Sequence, residues 1–135
     1  MKKILILALA IFLLAACAST PKVDLSGEWK LISYGDAASP TPALPGVETS
    51  IKFENGQMTG NVGCNGFGGE YELKGDTLTF GPVMSTLMFC EATSDQEQGV
   101  LSLFAEGKAL TLQMNGDALT IISADGSSVV NLVRK

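Results

Sequence analysis

Few residues in this chain could do chemistry, and their types narrow what that chemistry is. The 135 residues include no histidine and three cysteines, Cys17, Cys64 and Cys90. Without an imidazole there is no histidine-based catalytic triad, no histidine-ligated zinc or haem, and no imidazole pH switch. Ser26, Ser85 and Thr86 lack a base that would make them nucleophiles. Glu70 and Glu72 stand two apart on one strand face, but a catalytic carboxylate pair needs a cleft and divergent pKa values; a solvated sheet face is expected instead. Met84, Met88 and Cys90 are soft groups of the kind that hold Cu(I). With no methionine cluster elsewhere, core packing is the expectation for them. No catalytic residue, metal ligand or cofactor-binding residue is assigned, and no cofactor is expected.

The cysteines divide by position. Lys2 and Lys3 precede thirteen consecutive apolar residues, Ile4 to Ala16. As a helix that run spans about 20 Å, short of a bilayer core of about 30 Å, and its charged start and small-residue end describe an export signal. Leu14-Ala15-Ala16-Cys17 resembles the bacterial lipobox, in which the cysteine thiol receives diacylglycerol. Residues 1–16 are therefore read as a lipoprotein signal peptide, and 17–25 as a lipidated N-terminus and tether, with Cys17 as the lipid-bearing residue. Ala18, rather than an aspartate, follows that cysteine, which by resemblance to known lipoproteins favours the outer membrane, facing the periplasm. Export places Cys64 and Cys90 in an oxidising compartment. A bridge between them closes a span worth about 3.5 kcal/mol in the chain-entropy model. A redox or metal-binding thiol pair is the alternative, but there is no CxxC spacing to favour it, and a disulfide is expected.

Charge limits the partners. The whole chain carries a formal −5; without residues 1–16 and their two lysines the balance is −7. Such an acidic chain is not expected to bind nucleic acid. The expected association is with a membrane through the lipid, by a monomer, with any envelope protein partner unspecified.

The elements that must position these residues are mostly short strands. Alternating runs read as strands at Glu28–Tyr34, with Trp29, Leu31 and Ser33 on one face, and at Thr49–Glu54, with Ile51 and Phe53 inward. Asn55-Gly56 is a type I′ hairpin pair, after which Met58, Gly60 and Val62 continue the return. Further hairpins surround Lys74-Gly75-Asp76 and Asn115-Gly116-Asp117, and Asp125-Gly126 turns the chain into Val129–Val133. Three prolines make 35–48 a loop. Gly60 to Gly69 holds five glycines in ten positions, which predicts tight curvature or positive φ rather than a regular strand, a structural turn fixed by Asn65 and the disulfide. Ser94-Asp95-Gln96-Glu97 fits a capping box, and Val100, Leu101, Phe104 and Ala105 follow at helical spacing, predicting one helix over about 94–105. Gly99 should weaken it by about 1 kcal/mol. Several short strands with glycine turns indicate a β sandwich or barrel.

Two blocks carry a family resemblance. Gly63-Cys64-Asn65-Gly66-Phe67-Gly68-Gly69-Glu70-Tyr71 resembles the GCN-aromatic-x-G-x-Tyr signature of the META domain, the family of the heat-shock lipoprotein HslJ. Thr86-Leu87-Met88-Phe89-Cys90 is similar to its T-x-M-x-C segment, with Phe89 where a small residue is more usual. Glu97, Val100 and Phe104 match the family's helix spacing, and Trp29-Lys30-Leu31 its N-terminal W-x-L. The resemblance covers nearly all of 26–134. It implies a mostly β, lipocalin-like open barrel of about 7–8 antiparallel strands with one helix, occupying 26–135. It also implies structural roles for Trp29, Gly63, Asn65, Tyr71, Thr86, Met88 and Glu97. The function it implies is that of a non-enzymatic envelope lipoprotein, tied to outer-membrane integrity, heat-shock and stress response or novobiocin-type antibiotic resistance. The alternatives are a small-ligand carrier, which needs a hollow barrel, and a periplasmic protease inhibitor acting through the Pro40–Pro45 loop. The length of the domain predicts an interior filled by side chains.

Overall fold

The computed structural model describes residues 23–135; the expected signal peptide, 1–16, and the expected lipidation at Cys17 fall outside them. The strands are β1 (Gly27–Asp36), β2 (Thr41–Pro42), β3 (Ser50–Glu54), β4 (Gln57–Asn61), β5 (Gly66–Lys74), β6 (Thr77–Phe80), β7 (Met84–Ser85), β8 (Ala109–Asn115), β9 (Ala118–Ile122) and β10 (Ser128–Arg134), with α1 (Ser94–Leu103) between β7 and β8. Antiparallel pairing runs β10-β9-β8-β6-β5-β4-β3-β1, and β1 also pairs with β10. The ring is thus closed, not open. Closure removes the free edges that an open sheet would present. β2 and β7 are two-residue additions to β1 and β5.

The ends of the barrel differ. At the end where β1 begins, neighbouring strands are joined by tight turns after β3, β5 and β8. There Asn55 and Gly56 both have positive φ, at 52° and 77°, as a type I′ turn requires. At the opposite end the connections are long: 37–49, 62–65, 81–93 with α1, and 123–127.

Inside, alternation sets the core. Trp29, Leu31, Ile51, Phe53, Met58, Leu78, Phe80, Leu110, Leu119 and Ile121 are fully buried, and Phe104 and Val100 close the α1 end. The rings of Phe80 and Phe104 lie 4.8 Å apart, and those of Phe53 and Tyr71 meet edge-on at 5.3 Å. These side chains fill the barrel, as the length of the domain predicts.

Several local expectations are corrected. A register shift between Leu31 and Ser33 breaks the alternation of β1, so Tyr34 turns inward while Ser33 is only half-buried. The glycines of 60–69 are not at positive φ. Gly66, Gly68 and Gly69 lie in regular β5, paired with β4. Close approach requires Gly69 and Gly60: a Cβ on Gly69 would stand 2.7 Å from the Pro82 carbonyl oxygen, and one on Gly60 would stand 2.6 Å from the Phe67 ring. The tether is shorter than expected, because Leu25 is buried and its carbonyl accepts the Trp29 indole N–H at 2.9 Å. Gly99 stands within the unbroken helix for a packing reason, since a Cβ there would strike the Tyr34 ring.

Candidate functional site

The long-connection end gathers most of the residues that the sequence marks. Leaving β4, the chain passes through Val62–Asn65 in a non-regular path, so its backbone donors need partners other than a strand. Glu97 supplies them. Its Oε1 accepts from the backbone N–H of Cys64 and of Asn65, the latter at 3.2 Å, and from Thr93 Oγ1 at 2.9 Å; Oε2 accepts from Asn65 Nδ2 at 2.7 Å. Gly63 is obligatory beside it, since a Cβ would meet both Glu97 Oε1 and Thr93.

Asn65 is the second hub. Its Oδ1 accepts from Thr86 Oγ1 and from the Met88 N–H, both at 2.8 Å, and its Nδ2 also donates to the Met88 carbonyl at 2.9 Å. One asparagine and one glutamate thereby join the β4–β5 connection, the segment after β7 and the first turn of α1. Cys64 and Cys90 are disulfide-bonded across the same two segments, with Cα atoms 6.2 Å apart.

This arrangement replaces the expected capping box. The N-cap is Thr93 rather than Ser94, and it makes no side-chain cap bond. Glu97 turns its carboxylate to the loop, which offers three donors, and at the helix start it accepts only from the Thr93 hydroxyl. Burial pushes the Glu97 carboxyl up, yet its hydrogen bonds to Asn65, Cys64 and Thr93 outweigh this and hold it below the ordinary glutamate range. Chemically, the carboxylate has donors on both oxygens and is ionised at neutral pH. It acts as a latch rather than as a base reaching for a substrate proton.

Sequence reasoning missed Gln96, fully buried next to Glu97. Its Nε2 donates to the Val62 carbonyl and its Oε1 accepts the Leu44 N–H at 2.7 Å. Those bonds tie the Pro40–Pro45 loop to the helix, helped by the Ala43 N–H on the Ile32 carbonyl. A glutamine within a polar run carries no periodic signal that would reveal this. Thr49 was missed in the same way; it is buried, and its hydroxyl accepts the Leu31 N–H at 3.0 Å.

Trp29 and Tyr71 stand apart from this cluster, toward the tight-turn end. The Arg134 guanidinium lies 4.3 Å from the Trp29 ring centroid and donates to the carbonyls of Ser26 and Asp24. Arg134 had drawn no attention in the sequence.

The methionine expectation is overturned. Met84 and Met88 are exposed, and Leu87 and Phe89 are 94% and 86% exposed. They lie on the segment after β7, which no other described element covers. Met88 contributes to the cluster through its backbone alone. Among the described residues no group of histidine, cysteine or acidic side chains is placed to hold a metal ion. Glu70 and Glu72 are exposed, with Glu72 ion-paired to Lys74 at 2.9 Å in solvent. An open groove of about 820 Å³ runs outside the wall, bordered by Lys52, Thr59, Gly60, Gly68 and Met84.

No curated protein matches the sequence. Among solved structures, an NMR structure of a protein from Burkholderia xenovorans superimposes with a TM-score of 0.66 at 21% identity, over 82% of each chain. A crystal structure of a duf4847 family protein from Bacteroides vulgatus gives 0.58 at 13% identity, over 82% of this chain and 93% of that one. A lipocalin-like protein from Bacteroides uniformis gives 0.54 at 19% identity, over 84% and 100%. At these identities the likeness is one of fold. The META domain model matches residues 23–135, nearly the whole of what forms the barrel and its latch, and the chain belongs to the META domain family.

Proposed function

We propose that this META-domain protein is a non-enzymatic lipoprotein of the cell envelope, anchored through Cys17 to the outer membrane and facing the periplasm, where it supports membrane integrity under stress. The observation that carries the non-enzymatic reading is the saturation of Glu97. The one buried carboxylate among the described residues has donors on both oxygens and holds loops together. The disulfide and the lipobox-like Leu14–Cys17 support an exported location. Stress protection and resistance to novobiocin-type antibiotics are carried over from the family resemblance.

The carrier alternative loses support from the filled interior, since ligand pockets commonly enclose about 300–1,000 Å³. The inhibitor alternative loses support from the hydrogen bonds that tie Ala43 and Leu44 down. A deletion strain complemented with the wild-type chain or with Cys17→Ser tests the reading. Palmitate labelling is expected in the wild type and absent in the variant. Heat survival and novobiocin tolerance are expected to be restored by the wild type alone. Equal labelling of the variant, or a deletion strain with unchanged tolerance and survival, would overturn it.

A further inference from the structure

We propose that Met84 and Met88 are reversible oxidation sites, surface thioethers that consume oxygen-donating oxidants such as hypohalous acids and peroxides and leave the fold intact. The proposal goes beyond the envelope reading above and does not depend on the lipid anchor.

The set of oxidisable groups carries the first part of the argument. Cysteine thiols and methionine thioethers are the side chains that such oxidants attack first. Here Cys64 and Cys90 are already joined, the chain has no histidine, and the Trp29 indole is fully buried. The described methionines divide by burial. Met58 is fully buried in the barrel, and Met114 is half-buried against the same core. Met84 and Met88 are 77% and 58% exposed. Exposed lysine amines compete for the oxidant, but a protonated amine has no free electron pair to offer, whereas a thioether carries its own at any pH.

At each site the thioether sulfur gives an electron pair to the chlorine of hypochlorous acid, and hydroxide leaves. Water then adds to the chlorosulfonium sulfur, and chloride and two protons leave. The sulfur ends as a sulfoxide, oxidised by two electrons, and the chlorine ends as chloride. A peroxide gives the same sulfoxide as its O–O bond breaks, with water as the other product. A reductase dithiol reverses the change, its two thiols closing to a disulfide while the sulfoxide oxygen leaves as water. The fold tolerates this because a sulfoxide destabilises where it must be buried, and these two side chains stand in solvent. Their backbones are held independently of their sulfur atoms. Met84 pairs with Gly68, and the N–H and carbonyl of Met88 both bond to the Asn65 side chain, at 2.8 Å and 2.9 Å. The bridge at Cys90 fixes the chain just beyond.

The test treats the mature full chain with graded doses of hypochlorous acid, in nanodiscs of saturated phosphatidylcholine if it carries lipid and in buffer if it does not. Peptide mass spectrometry is expected to find Met84 and Met88 oxidised at least tenfold faster than Met58, and ahead of Met114. With both converted, the melting temperature should be unchanged, and a methionine sulfoxide reductase supplied with dithiothreitol should restore both thioethers. Before treatment, Met84→Leu/Met88→Leu should melt as the wild type does. At a dose that spares Met114 in the wild type, this variant should then show sulfoxide at Met114. Oxidation of Met58 or Met114 as fast as that of the two exposed sites would overturn the proposal. So would a fall in melting temperature on conversion, failure of the reductase to restore them, or a double variant in which Met114 stays as protected as before.

Discussion

The two ends of the barrel solve the same problem by different means. At the tight-turn end, the carbonyls of Gly56, Asp76 and Asp117 accept from Tyr71, Leu112 and Arg134 of the neighbouring strands, and what remains is apolar surface, which Trp29 fills and Arg134 covers. At the other end the chain leaves regular strands over long connections and strands its N–H and C=O groups. There the solution is polar and covalent: Glu97, Asn65, Gln96 and one disulfide. The contrast teaches that the density of side-chain hydrogen bonds follows the loss of ladder pairing, since an unpaired buried polar group costs about 1–3 kcal/mol.

The largest effect should come from the apolar end. Trp29→Ala removes a fully buried ring and is expected to cost about 3–5 kcal/mol, measured by urea unfolding, with amide protection lost first around β1 and β10. If protection at the Cys64–Asn65 loop fell equally, the two ends would not be separable. Next, Cys64→Ala/Cys90→Ala should cost up to about 3.5 kcal/mol. A smaller loss would mean that the hydrogen bonds of Asn65 already confine the loops.

Glu97→Gln comes third, at about 1–3 kcal/mol, because an amide NH2 must then face donors that had met a carboxylate oxygen. This variant also has a pH signature. The folded-state pKa of Glu97 lies below its ordinary value of 4.5. Its stabilisation is therefore fully present above that value and is lost as pH falls through the folded pKa. The wild type should lose stability over that acid window more steeply than Glu97→Gln. Parallel curves would remove Glu97 from the account. Last, Arg134→Lys keeps the charge but loses the flat guanidinium over Trp29, and should cost about 1 kcal/mol in thermal unfolding. No change would leave Trp29 alone as the plug.

The hairpins were legible because a turn such as Asn55-Gly56 is a local event, fixed by residues that tolerate positive φ. The same holds for Ile51 and Phe53, whose alternation states their face. The pairing of Cys64 with Cys90 was legible by elimination once Cys17 was set aside. The latch was not. Glu97 looked like half of a capping box because local spacing cannot reveal a loop 32 residues earlier that offers better donors. Met84 and Met88 looked like core because their apolar character says nothing about whether a second layer will cover them.

By itself, then, the sequence determined the hairpin strands outside the glycine-rich stretch, their turns, the single helix, the export-like start and the family resemblance. Each of these rests on interactions within a few residues or on a linear motif. Only the tertiary structure decided that the ring closes through β1 and β10, that Glu97 binds a distant loop, and that the apolar segment after β7 stays bare. Those outcomes depend on which groups meet across the fold, and hydrogen-bond partners and burial are properties of the assembled surfaces, not of the residues that carry them.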